Sequence, residues 1–198
     1  MGSERNKSTF TIKNHYIMTQ VNSNLPFAGR RDNTGKAIHM DIRRGHLCKW
    51  NGKDQPTQEY DYVQGRLTGI TIRKCESLNG ETMFMDLHFV YGEHRFEVST
   101  LASSSISAEL ISKLSNIQDL SSTIEIDVWP RGAYTNCAVR EGGQKLPYRL
   151  LPKVARKQNG FKTTLDTSER DKAIMEMIDE LNARLAAADV TGNPGQAN

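Results

Sequence analysis

Between residues 59 and 140 the hydrophobic period changes twice, from two residues to helical spacing and back, which limits the chain to few folds. Residues 59–75 form a long β-type run in which Val63 and Leu67 share one parity while Ile70 and Ile72 take the other. A one-residue bulge beside Gly69 restores a single inward face, because one extra residue reverses the alternation. Leu78-Asn79-Gly80-Glu81 reads as a hairpin turn of the Asn-Gly kind. The next strand, 82–91, places Met83, Met85, Leu87, Phe89 and Tyr91 on one face and Thr82, Phe84, Asp86, His88 and Val90 on the other. After Gly92-Glu93, Phe96 and Val98 point inward. Over Ser105–Ile117 the apolar residues Ile106, Leu110, Ile111 and Leu114 recur at helical spacing. The two-residue period then returns at Ile124, Ile126 and Val128. Pro130-Arg131-Gly132 makes a tight turn into a last strand, Tyr134 to Arg140.

Three strands, a helix and two strands is the element order of an OB-fold. The expected architecture is mainly β: a five-stranded OB-fold-like Greek-key barrel with one helix between strands 3 and 4, plus a C-terminal α-helix. A glycine-bent first strand fits, because it must serve both halves of the barrel. A β-sandwich with one helix, or a PH-like barrel, shares much of this pattern. The expected organisation is a basic N-terminal extension with short strands over 1–57, the barrel over 58–152, and a basic linker, amphipathic helix and disordered tail over 153–198. The helix starts at Ser168-x-x-Asp171 and carries the stripe Ile174, Met177, Ile178, Leu181 and Leu185. It is expected to cover the chain's own barrel, or else to pair with a second copy or a partner protein.

Net charge is only +3, but it is unevenly spread. Residues 1–56 carry 10 Lys+Arg against 4 Asp+Glu, whereas residues 57–152 carry 9 against 12. The cations therefore sit on the arms of a mildly acidic body. No apolar run approaches the roughly 20 residues that cross a bilayer, and no apolar stretch follows Met1 to Lys7, so neither a membrane span nor a secretory signal is expected. Cys48, Cys75 and Cys137 are odd in number and far apart, which points to a reducing, cytoplasmic setting.

No nucleophile elbow, P-loop, GxGxxG or His-Glu-x-x-His occurs, so the expectation is a non-catalytic protein without a cofactor. His39, His46 and Cys48 have metal-like types but lack a fourth ligand, and His15, His88 and His94 are isolated. The outward face of strands two and three carries Phe84, His88 and Arg95, and the last hairpin carries Trp129, Tyr134 and Arg140. Aromatic planes and cations together are what a single strand of nucleic acid needs, for stacked bases and for phosphates. Arg30, Arg31, Arg43, Arg44 and Lys49 on the N-terminal arm, with Lys153, Arg156, Lys157 and Lys162 further on, supply more positive charge. Against this, Asp86, Glu97, Glu125 and Asp127 share the outward face and would repel phosphate.

The run Tyr62-Val63-Gln64-Gly65-Arg66-Leu67-Thr68-Gly69-Ile70, followed by a hairpin, a helix and a hairpin over about residues 58–140, resembles the layout of phage-type single-stranded DNA-binding proteins built on one OB-fold. That resemblance implies single-stranded DNA as partner, in phage DNA replication or recombination and in the host cytoplasm. The chain departs from the bacterial housekeeping version, whose acidic tip is closed by Phe. Here Asn193 to Asn198 is neutral, so partner recruitment through such a tip is not expected. The alternative role is a structural or assembly protein of a virion, whose β-domain and arms contact neighbours.

Overall fold

The computed structural model describes residues 38–49, 58–77, 80–159 and 162–192. The bent strand is β4 (Tyr62–Ser77), and β5 (Gly80–Tyr91) runs antiparallel to it. Their register slips by one between Leu67 and Gly69, leaving Thr68 as the extra residue. The slip buries Val63 and Leu67 on one side of the bulge and Ile70 on the other against the same core. The Asn-Gly turn falls on Leu78 and Asn79, outside the described residues; Gly80 behind it has φ +111. Next come β6 (His94–Leu101), α1 (Ser105–Leu114), β7 (Ile124–Arg131) and β8 (Tyr134–Glu141). The Ser104 hydroxyl accepts from the Ser107 N–H to cap α1, and Ile106, Leu110, Ile111 and Leu114 are all buried.

The sheet is larger than the sequence implies. Residues 38–49, expected within the N-terminal extension, supply β1 (Ile38–Arg43) and β2 (His46–Lys49), and β3 (Gln58–Tyr60) comes from the start of the stretch expected to form the barrel. With β9 (Gln144–Lys145) they make a nine-stranded mixed sheet in the order β3-β2-β1-β6-β5-β4-β7-β8-β9. The five expected strands lie side by side in it, but the sheet is not closed, so the expected five-stranded closed barrel does not form. The physical reason lies at β6. Its outer edge pairs in parallel with β1, from Ile38 opposite Phe96 to Asp41 opposite Ser99, and that edge is therefore unavailable to a closing strand.

The core is tight where β4 meets β6. Phe89 and Phe96 stack with centroids 5.1 Å apart. A Cβ at Gly65 would stand only 3.0 Å from the Phe96 ring, so only glycine leaves that ring its place. The stretch expected to be a basic linker holds a separate antiparallel hairpin, β10 (Ala155–Asn159) with β11 (Lys162–Asp166).

Helix α2 (Ser168–Gly192) packs on α1 and β4, and all five residues of its apolar stripe are buried within the chain. A partner would have to use its other face. No helix among the described residues is long and apolar enough to cross a membrane. Beyond Gly65, β4 no longer pairs with β7, so among the described residues its second edge has no strand neighbour. Asn182 takes that place: its side chain accepts from the Ile70 N–H at 2.9 Å and donates to the Ile70 carbonyl at 2.8 Å. Asn182→Ala is expected to cost about 1–3 kcal/mol, the penalty for backbone groups left unpaired. Urea denaturation checks this, and an unchanged midpoint would show that the contact is idle. Arg184 caps the end of α1 from the same helix, donating to the carbonyls of Ser115 (3.2 Å) and Ile117.

Candidate nucleic-acid interface

The sheet register decides which of the candidate side chains meet. On the outward face, Arg73 of β4, Phe84 of β5 and Leu101 of β6 form one row. The Arg73 guanidinium lies over the Phe84 ring, 5.1 Å from its centroid, and donates through Nε to Asp86 at 2.9 Å. Asp86, only 3% exposed, also accepts from Ser99 Oγ. One face of the Phe84 ring is thus taken by a cation of its own sheet, and the residue is only partly exposed.

One row on, a polar chain crosses the sheet from β4 to β1. Thr71 Oγ1 meets His88 Nε2 at 2.9 Å, and His88 Nδ1 stands 3.5 Å from Glu97. His39 Nδ1 meets the other Glu97 oxygen at 3.3 Å, its Nε2 lies 3.4 Å from Asp41, and Arg43 donates to Asp41 at 2.7 Å. The Asp41 hydrogen bond, with help from Glu97, holds the His39 pKa above its ordinary value of 6.5 against the opposing effect of burial. The His39 hydrogen bond in turn holds the Asp41 carboxyl below its ordinary value of 3.8. A raised histidine contributes stability fully present below pH 6.5 and lost as pH rises through its folded value. Asp41 contributes above 3.8, and its contribution is lost as pH falls through its depressed value. Urea midpoints followed upward from pH 6.5 are therefore expected to fall further for the wild type than for His39→Gln; parallel curves would remove His39 from the account.

The opposite end of β4 is where aromatic rings and cations come together. Arg43 pairs with His46 across a two-residue turn whose members, Arg44 (φ 50) and Gly45 (φ 86), both have positive φ. This turn rests on β7: a Cβ at Gly45 would lie 2.3 Å from the Pro130 nitrogen. Pro130 stands between Trp129 and Arg131 at the tip of the β7–β8 hairpin, where Arg131 pairs with Tyr134. Tyr62 opens β4 opposite Asp127, on the same face as Trp129. Tyr62, Trp129 and Tyr134 are 47%, 40% and 71% exposed. Arg43 and Arg44 on the β1–β2 turn and Arg131 at the hairpin tip are exposed. Among the described residues no carboxylate pairs with Arg44 or Arg131, whereas Arg43 shares Asp41.

The candidates from the sequence thus separate. Trp129, Tyr134, Arg43 and Arg44 converge on this end. Arg140 lies on the same face, but Glu125, at 2.7 Å, and Asp127 neutralise it. His88 and Arg95 line a cleft further along the sheet. Phe84 lies opposite Arg73, eleven residues along β4 from Tyr62, which is roughly 35 Å at strand rise. It cannot share a platform with Trp129. Lys49 is half-buried at the far end of β2, and Arg30 and Arg31 lie outside the described residues. The four acids that would repel phosphate are each paired: Asp86 with Arg73, Glu97 with two histidines, and Glu125 and Asp127 with Arg140. Tyr62 and Arg131 are additional members of this end. The parity of Tyr62 against inward Val63 is the sequence signal that marks it.

Among the described residues no three His, Cys, Asp or Glu side chains are grouped to hold a metal ion. His46 is turned to Asp61 at 3.6 Å. Burial pushes the Cys137 thiol up to about 12, so it stays protonated near neutral pH. Comparison with protein-family models, curated proteins and solved structures returned no match, so the assignment of function rests on this chain's own residues.

Proposed function

We propose that this chain binds single-stranded DNA without catalysis, stacking bases on Tyr62, Trp129 and Tyr134 and holding phosphates with Arg43, Arg44 and Arg131. The observation that carries this reading is the seating of the β1–β2 turn on Pro130, which brings two arm arginines to the exposed aromatic end. Stacking contributes about 1–3 kcal/mol per base and tolerates any sequence, so three rings suit binding with little sequence preference. The order β6-β5-β4-β7-β8 lends it further support, because these strand neighbours are compatible with an OB-like reading in which β1 has been added beside the third strand. Hairpins at that end of such folds commonly contact nucleic acid. A fluorescence-anisotropy titration with oligo-dT at low salt tests the proposal. Affinity falling steeply as salt rises is expected; no binding at micromolar protein would sink it.

A second reading, a structural or assembly protein, draws on a different feature. Leu150 is 87% exposed and Leu165 66% exposed, near the β10–β11 hairpin, where apolar surface suits contact with another protein. Light scattering coupled to size exclusion separates the two, since a large assembly formed without DNA would favour this one.

A further inference from the structure

A cleft of about 490 Å³ opens on the outward face between β4, β5, β6 and the end of α2. Arg66, Thr68, His88, Arg95, Glu97 and Asp189 line it. The register puts Arg66, Val90 and Arg95 in one row across three strands, so the two guanidinium-bearing residues start two strand spacings apart, roughly 10 Å. Asp189 Oδ1 accepts from Arg66 Nη1 at 3.0 Å. Arg95 has no ion-pair partner among the described residues, and Glu97 is engaged by His39 and His88. A carboxylate seated on a guanidinium marks a place that phosphate oxygens fill by the same hydrogen-bond geometry. A phosphate offers more oxygens than Asp189 and brings Arg95 into use as well. Arg66 is four residues from Tyr62 on β4, roughly 13 Å along the strand, so one strand of nucleic acid spans both places.

We propose that this cleft is a phosphodiester site continuous with the aromatic end, and that Asp189 occupies Arg66 until a phosphate of the strand displaces it. The inference rests on the single-strand reading, and its test separates the two.

Oligo-dT affinity is measured over a range of salt for the full chain, Asp189→Asn, Trp129→Ala, and the paired changes Arg66→Gln with Arg95→Gln and Arg66→Lys with Arg95→Lys. Asp189→Asn is expected to bind about fivefold more tightly, because the internal competitor has lost its charge. The glutamine pair is expected to lose affinity and to flatten the salt dependence by about 0.7 for each phosphate released. The lysine pair keeps the charge and should retain the slope, which distinguishes lost phosphate contact from a damaged fold. If every cleft variant matches the wild type while Trp129→Ala binds weakly, the cleft proposal is overturned and the single-strand reading stands. If no protein binds oligo-dT, the single-strand reading fails, and thermal melting in millimolar inorganic phosphate decides the cleft. Stabilisation of the wild type beyond that of the glutamine pair keeps it as an anion site, and equal melting removes it.

Discussion

Replacing Trp129 and Tyr134 together by alanine is expected to weaken oligo-dT binding by about thirtyfold or more. Each lost stack is worth about 1–3 kcal/mol, and every 1.4 kcal/mol is a factor of ten. The loss of binding is expected to exceed the loss of stability, since Tyr134 is 71% and Trp129 40% exposed and neither belongs to the buried core. Unchanged affinity in the anisotropy titration would remove the aromatic end from the interface. Phe84→Ala makes the contrast. Its ring already serves as the seat of the Arg73 guanidinium, so affinity is expected to stay within twofold or so of the wild type, roughly the 0.5 kcal/mol of a neutral site.

Gly45→Val should do the reverse, changing stability first and binding second. A side chain at φ +86 costs about 1–2 kcal/mol. Its Cβ would also press on the Pro130 backbone, which has no rotamer with which to yield, and overpacking of this kind costs about 1–3 kcal/mol. The β1–β2 turn is expected to lift from β7, carrying Arg43 and Arg44 away from Trp129. Lower urea midpoints accompanied by weaker oligo-dT binding would follow. Loss of stability with unaltered affinity would separate the turn from the binding surface.

What the sequence displays well is local. The parity change between Leu67 and Ile70 locates the bulge, and the 106–114 spacing locates α1, because each depends on residues close in the chain. What it hides depends on partners far away. Parallel pairing of β1 with β6 joins residues 58 apart, and nothing in Ile38-His39-Met40 announces which edge it will find. The β10–β11 hairpin is so rich in Lys, Arg, Thr and Gln that it has no apolar alternation to read. The interface divides along the same line. Outward orientation of Phe84 and Trp129 follows from strand period, but their separation follows from which stretch of β4 each strand pairs with. Asn182 is still less visible, since a polar residue on the flank of an apolar helix stripe looks like any solvated position.

The bond between Asn182 and Ile70 spans 112 residues, and that distance has a consequence during synthesis. A ribosome adds roughly 5–20 residues per second, so the edge of β4 is made on the order of ten seconds before the helix that covers it. For that interval the nascent sheet offers bare backbone to any neighbouring strand, the situation that seeds aggregation. The last helix thus closes an edge that is synthesised well before it. Sheets of this chain cut short before that helix would be drawn to one another.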